Sequence, residues 1–221
     1  MQAFIITLVN NEWSSYLASS CIQQAEKFNI QAKIFEAIVG DTYQEHLNNN
    51  KLFLNPERGS VYFSSGTYGC FLSHFYLWNK CIDLNVPVIV LEHDGFFIRN
   101  LPEDILFKFE DVLKLDCYNP YDSAYGDKIS SSINNSLSFT NNIKGIYNQR
   151  GFGWYTWGAY AYIIKPSGAK KLVDYSKTYG FSSADNMLGD RVVSITLPSS
   201  PIARLHPVFN GDNIKKLSTI K

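Results

Sequence analysis

Apolar residues in this chain come as short runs separated by longer amphipathic stretches, the alternation expected of an α/β protein. Ala3–Val9 is one such run and predicts a first strand. Asn10-Asn11 ends it, and either residue can cap a following helix. Trp13, Leu17, Cys21 and Ala25 recur at helical spacing as far as Phe28, and Ala32–Ala37 predicts a second strand. This β-α-β start is Rossmann-like, although no GxGxxG is present. Residues 39–66 are polar and turn-rich and predict an excursion over the sheet. Gly66–Asn85 predicts a long helix, with Cys70, Phe71, His74, Leu77, Trp78 and Cys81 on its inner face. It leads directly into Pro87-Val88-Ile89-Val90-Leu91, an unbroken apolar run that suits a central strand covered on both faces.

Further along, Ile105–Phe109 predicts a short helix and Val112–Cys117 a strand. Residues 118–157 are the least regular, with a Ser/Asn tract from Ser130 to Asn142 and the aromatic segment Gly151–Gly158. Such a tract reads as a substrate loop or as a partly disordered segment. Ala159–Ile164 predicts a strand, Pro166 to about Thr178 a helix, and Ser182-Ser183-Ala184-Asp185 the opening of a shorter one. Arg191–Leu197 predicts a late strand, and residues 198–221 read as a tail, mobile from 208 onward. Without repeats or a linker, the expectation is one domain over residues 1–221: a Rossmann-type mixed, mostly parallel sheet flanked by helices.

Composition narrows the function classes. Apolar residues make up 45% and charged residues 18%, an ordinary globular balance. The 20 basic and 20 acidic residues cancel, so there is no general pull toward nucleic acid or anionic membrane. No run approaches the roughly 18 apolar residues of a membrane span, and the amino terminus lacks a signal peptide's basic region. Cys21, Cys70, Cys81 and Cys117 are far apart with no CxxC, so free thiols in a cytoplasmic protein are expected.

The chemistry centres on Glu92 and Asp94, just past the apolar strand. In open α/β sheets ligands sit beyond the carboxyl ends of strands. Two oxygens there can reach one hard cation bridging the phosphates of a nucleotide sugar. The plain alternative is a solvated loop carrying two acids. Gly95 permits unusual dihedrals or close approach of a ligand.

Four blocks resemble glycosyltransferase family 25, which includes bacterial lipooligosaccharide galactosyltransferases and collagen hydroxylysine galactosyltransferase domains. They are the first strand with Phe35-Glu36-Ala37-Ile38-Val39-Gly40; Gly66-Thr67-Tyr68-Gly69-Cys70-Phe71-Leu72-Ser73-His74 with Leu77-Trp78; Val90-Leu91-Glu92-His93-Asp94-Gly95, where the family has LEDDA; and Gly158–Ile164 with Gly168-Ala169-Lys170-Lys171-Leu172 and Ala184-Asp185-Asn186-Met187. The resemblance implies a GT-A fold, a nucleotide-sugar donor, most simply UDP-linked, and a divalent metal, manganese before magnesium. It carries Glu92 and Asp94 onto the outer positions of the acidic motif and His93 onto its centre. The family's arginines after the first strand are replaced here by Asn10-Asn11-Glu12-Trp13.

The candidate set is therefore Asp185 as general base with Asp190 as fallback, Glu92, Asp94 and His206 as metal ligands, and Asn10, Ser73, His74, Glu92 and His93 toward the donor. Asp185 also reads as a first-turn carboxylate, His74 as a structural histidine, and Ser73 as a residue that orients the adjoining loop. Trp13 is a base-stacking or packing residue; Trp154 and Trp157 are acceptor-platform candidates; Lys165 and Arg191 are candidates for diphosphate contact. A Cys70/His74 nucleophile pair is the remotest option. The leading expectation is inverting transfer of a hexose, galactose foremost, from a nucleotide sugar to a glycan hydroxyl, with peripheral membrane contact left open. Competing expectations are transfer to a protein or modified nucleic-acid hydroxyl, a catalytically inactive sugar-nucleotide-binding or scaffold protein, and a phosphohydrolase.

Overall fold

The structure is a computed structural model and describes residues 1–56, 63–116, 137–141, 146–148, 153–155 and 158–209. Its amino-terminal unit forms as the pattern predicts. β1 (Gln2–Thr7) leads to α1 (Glu12–Lys27), whose cap is Asn11: the side-chain oxygen accepts from Ser14 N at 2.8 Å. β2 (Ala32–Glu36) lies parallel to β1. The expected excursion after it is partly ordered as α2 (Tyr43–Asn50). Leu47 is the only buried residue of that helix, so no apolar period announces it.

α3 (Ser65–Leu84) begins at Ser64, whose side chain accepts from Thr67 N. It buries Phe71, His74, Leu77, Trp78 and Cys81 as expected, but Cys70 is exposed rather than inward. The helix meets the segment after β2 very closely. A Cβ at Gly69 would stand 2.4 Å from the Ile38 carbonyl oxygen. Ser73, fully buried, fastens this crossing: its hydroxyl donates to Gly69 O at 2.7 Å and accepts from Ile38 N at 2.9 Å.

β3 (Val88–Glu92) is the central strand, and β4 (Gly95–Phe97) follows after the turn His93-Asp94. Burial on both faces explains its unbroken apolar run. Val88 and Val90 pack with Phe71, Trp78 and Leu172 on one side; Ile89 and Leu91 pack with Cys21, Phe97 and Ala18 on the other. All four are fully buried, each contributing on the order of 2 kcal/mol of transfer free energy. Gly95 has a packing reason rather than a ligand-approach one. A Cβ there would lie 2.6 Å from Tyr160 O.

β5 (Val112–Lys114), β6 (Phe139–Asn141), β7 (Ile146–Asn148), β8 (Gly153–Tyr155) and β9 (Ala161–Ile164) come next. β6, β7 and β8 lie inside the stretch expected to be irregular, and β7 pairs antiparallel with β8. The side chain of Trp154, the residue Trp157 and the cysteine Cys117 lie outside the described residues. The chain continues through α4 (Pro166–Tyr179), α5 (Ala184–Met187), β10 (Ile195–Pro198) and β11 (Ala203–Leu205). β11 corrects the expectation of a tail from 198: it pairs antiparallel with β4, a long-range contact that no local pattern reveals. Residues 210–221 lie outside the described residues.

The main sheet has the order β2-β1-β3-β9-β5-β10-β6. β2, β1, β3, β5 and β10 run one way; β9 and β6 run the other. The sheet is thus mixed and mostly parallel, flanked by helices. Because β3 and β5 share a direction, Glu92 and Lys114 end at the same sheet edge. β9 runs between them and starts there, with Leu91 opposite Ala161 and Lys114 opposite Tyr162. The candidate site is built along this edge.

Candidate active site

Glu92 closes β3 and turns its carboxylate toward α3. A chain of buried hydrogen bonds runs to it. Trp78 Nε1 donates to the Tyr162 hydroxyl at 2.9 Å; the Tyr162 oxygen lies 2.8 Å from His74 Nδ1; His74 Nε2 lies 3.2 Å from Glu92 Oε1. Indole can only donate, so the Tyr162 hydroxyl is free to pass its own proton to Nδ1. Nε2 then carries hydrogen and donates to the carboxylate, and every group in the chain is satisfied. Burial pulls the Glu92 pKa upward, but the His74 hydrogen bond and the neighbouring imidazoles outweigh it, leaving Glu92 below the usual range. Tyr162→Phe leaves the Trp78 N–H buried without a partner and is expected to cost about 1–3 kcal/mol. Chemical denaturation reads this directly, and an unchanged midpoint would contradict the directional chain.

Cys70 opens onto the cleft with its thiol 3.8 Å from Glu92 Oε1. Desolvation by the surrounding protein, and then the charge of Glu92 and Asp185, push its pKa well up. The thiol stays protonated and is no nucleophile. Cys70, His74 and Glu92 bring one ligand atom each within 4.8 Å of one another. With both His74 nitrogens engaged and the thiol protonated, this cluster supports Glu92.

The turn after Glu92 is held on three sides. Cys21, whose pKa burial pushes up to about 12, donates from α1 to Gly95 O at 2.8 Å and His93 O at 3.1 Å. His206 N donates to Asp94 O at 2.7 Å. The His93 ring bonds the Ile6 main chain on β1, and burial holds its pKa down. His93 therefore braces the turn, and its ring is drawn toward β1. Within this brace, Asp94 Oδ1 is buried with no hydrogen-bond partner. Burial, and then the charge of Glu92, raise the Asp94 carboxyl to about 7. An unpartnered carboxylate oxygen beside a second carboxylate suits a hard divalent cation, so the residues present fit a metal.

His206 does not complete that pair. Val208 N donates to its Nδ1 at 3.2 Å, leaving Nε2 to donate to Ser20 Oγ at 3.0 Å. Burial lowers its pKa, in keeping with this neutral form. Its link to the site is the main-chain bond to Asp94. The other candidates separate as clearly. Asn10 is exposed in the turn after β1, at the same sheet edge. Ser73 spends its hydroxyl on the fold. Trp13 is half-buried and stacks on Tyr16, with ring centroids 5.4 Å apart. Lys165 donates to Phe109 O at 2.6 Å and lies over the Phe109 ring, which corrects its reading as a diphosphate contact.

Asp185 sits in the first turn of α5 and reaches the same cleft. Burial raises its pKa, followed by the charge of Glu92; Lys114 and His74 act in the opposite sense. Asp190 and Arg191 are exposed. Sequence reasoning missed two members of this charge cluster, Lys114 and Asp116. Both are buried at the end of β5, with Lys114 Nζ 3.6 Å from Asp116 Oδ2. Their only sequence signal is a lysine and an aspartate inside an otherwise apolar strand pattern.

Comparison with known proteins identifies the family through a sequence profile. The sequence profile described as Glycosyltransferase family 25 (LPS biosynthesis protein) matches residues 1–188. The lipooligosaccharide biosynthesis protein lex-1 of Haemophilus influenzae is 26% identical over 158 residues, covering 66% of this chain and 45% of that protein. The chain thus spans less than half the length of this curated relative. Among solved structures, apo mouse xyloside xylosyltransferase 1 aligns with 85% of this chain and 66% of that one, at 13% identity and a TM-score of 0.33. That likeness is too slight to carry an argument. The profile match includes the GCFLSH helix, the Glu92–Asp94 turn and Asp185, and on it the chain belongs to glycosyltransferase family 25.

Proposed function

We propose that this chain is a GT-A-type hexosyltransferase. It moves a hexose, galactose foremost, from a UDP-linked donor to a hydroxyl of a carbohydrate acceptor of the lipooligosaccharide kind, with inversion. The carrying observation is the meeting at one sheet edge of an unpartnered, buried Asp94 oxygen, the supported Glu92, and Asp185 from a distant part of the chain. Glu92 and Asp94 are the residues to hold a divalent cation, manganese before magnesium. Such a cation supplies positive charge opposite the departing nucleoside diphosphate.

The chain's own residues do the rest. His74 fixes the Glu92 carboxylate, and the braced turn fixes Asp94, so neither reorganises when ligand arrives. Asp185 takes the proton of the acceptor hydroxyl as that oxygen attacks the anomeric carbon. Its raised pKa makes it a stronger base than an ordinary aspartate. Asn10, beyond β1, lies on the side where the nucleoside would run. No helix among the described residues is long and apolar enough to cross a membrane. We place the chain in the cytoplasm, meeting a lipid-linked glycan at the membrane surface.

The test is a titration of purified chain with UDP-galactose, UDP-glucose, GDP-mannose and a CMP-sugar, with and without manganese, followed by slow donor hydrolysis. Manganese-dependent binding of a UDP-sugar is expected. Binding of none of them, with or without metal, would overturn the reading.

A further inference from the structure

The pair Lys114 and Asp116 is not explained by the fold alone. Lys114 is 0% exposed and Asp116 7% exposed. The lysine ammonium donates to Gly158 O and faces Asp116 Oδ2 at 3.6 Å. Tyr160 also bonds this carboxylate. Yet Asp116 Oδ1 is buried and has no partner. A buried ion pair contributes little net stability over apolar residues of similar size, and an orphaned acceptor makes it worse. A ligand that donates a hydrogen bond removes that deficit.

Placement says which ligand. Along the sheet edge, Asn10 lies beyond β1, Glu92 ends β3 with Asp94 just after it, the start of β9 comes next, and Lys114 ends β5 with Asp116 just after it. A nucleotide sugar laid with its nucleoside near β1 and its diphosphate at β3 puts the hexose next to β9 and β5. Asp185 couples electrostatically to Glu92, Lys114 and Asp116. The reacting carbon, between diphosphate and base, then lies beside the β5 pair. A sugar hydroxyl both donates and accepts. The orphaned carboxylate oxygen offers such a hydroxyl an acceptor.

We propose that Asp116 and Lys114 form the subsite that reads the hydroxyls of the donor's hexose ring. This rests on the donor reading given above. Asp116 Oδ1 accepts from a ring hydroxyl, and Lys114 holds that carboxylate in place. Sites that hydrogen-bond a substrate hydroxyl reject the analogue lacking it strongly, because the site's buried polar groups are then left unpaired. These two residues therefore set which hexose is taken.

The experiment measures Kd, in manganese, for UDP, for the preferred UDP-hexose and for its 3-deoxy and 4-deoxy analogues. It uses wild-type protein, Asp116→Asn and, as a second variant against misfolding of the first, Lys114→Gln. Thermal midpoints verify folding. The wild type is expected to bind one deoxy analogue at least about tenfold more weakly than the parent hexose. In Asp116→Asn that penalty shrinks to about twofold, while affinity for UDP itself stays within about twofold. A folded variant that keeps the full deoxy penalty overturns the assignment. So does one that loses UDP and UDP-hexose affinity alike. Failure of the wild type to bind UDP or any UDP-hexose is a different result, and removes the donor reading itself.

Discussion

Asp185→Asn is expected to lower glycosyl transfer by about 10³-fold while leaving affinity for the nucleotide sugar within about twofold. Asparagine keeps the shape and the position in the first turn of α5 but has no basic oxygen. The pH profile carries the finer part of the prediction. Burial, and then the Glu92 charge, raise the Asp185 pKa. A base must be deprotonated to act, so wild-type transfer falls as pH drops through a value raised above that of an ordinary aspartate. With manganese saturating at every pH, so that Asp94 adds no limb of its own, the residual rate of Asp185→Asn lacks that acid limb. Asp190→Asn is the companion measurement. Asp190 is exposed, and its substitution is expected to leave both rate and profile unchanged. Transfer retained in Asp185→Asn, or an acid limb retained with it, would sink the assignment of the base. Single-turnover rates with saturating donor, measured from pH 5 to 9, separate these outcomes.

What the sequence made legible follows from whether a residue's role is local. The helical period of Phe71, His74, Leu77, Trp78 and Cys81 is a local property, and α3 formed within a residue of its expected ends. The apolar run of β3 announced burial on both faces, which the two packed layers supply. Glu92, Asp94 and Asp185 were visible because a carboxylate just past an apolar strand, or in a helix's first turn, stands out against its neighbours. The partners of these residues were not visible. His74 depends on Tyr162, on a strand that pairs with β3 only in the folded sheet. Cys70 shares the spacing of the buried α3 face, yet it ends in the cleft because a carboxylate, not apolar packing, stands opposite it. Lys114 stands as a lone lysine inside an apolar strand run, with nothing local to say what it faces. It is buried because its ammonium is folded onto Gly158 O and Asp116, a contact made only in the folded chain. β11 needs β4 to exist as a strand, so its residues look like a tail when read alone. His206 suited a late ligand by position, but its ring direction is decided by Ser20 and Val208.

Glu92 and Asp94 are expected to respond in opposite directions when metal is withheld, and in the same direction when it is added. The Asp94 carboxyl rises from 3.8 to about 7, by burial first and by the Glu92 charge second. A raised carboxyl favours the fold in its neutral form. Its contribution is therefore full below the unfolded value near 3.8 and is lost as pH climbs through about 7. At pH 8 the metal-free protein carries a buried, unpartnered charge, and Asp94→Asn removes it. The variant is expected to be more stable than wild type there by on the order of 1–3 kcal/mol, and to lose less stability between pH 5 and 8. Glu92 is the opposite case: His74 and its neighbours lower its pKa despite burial. Its contribution is present above the unfolded value and is lost as pH falls through the folded one. Glu92→Gln therefore destabilises the metal-free protein at pH 8, because the His74 N–H loses a charged acceptor. Added manganese reverses the contrast. Ligand at about 100 times its Kd stabilises a folded protein by roughly 2.7 kcal/mol. Wild type is expected to show a shift of that kind, larger at pH 8 than at pH 6 because protons compete for Asp94. Both variants lose most of it, and with it the manganese-dependent binding of UDP. Thermal midpoints at the two pH values, with and without manganese, decide the matter. Two variants that shift the metal-free midpoint in the same direction would overturn the opposed charge states of the pair, and an Asp94→Asn protein that keeps the full manganese shift would show that this strand end is not the cation site.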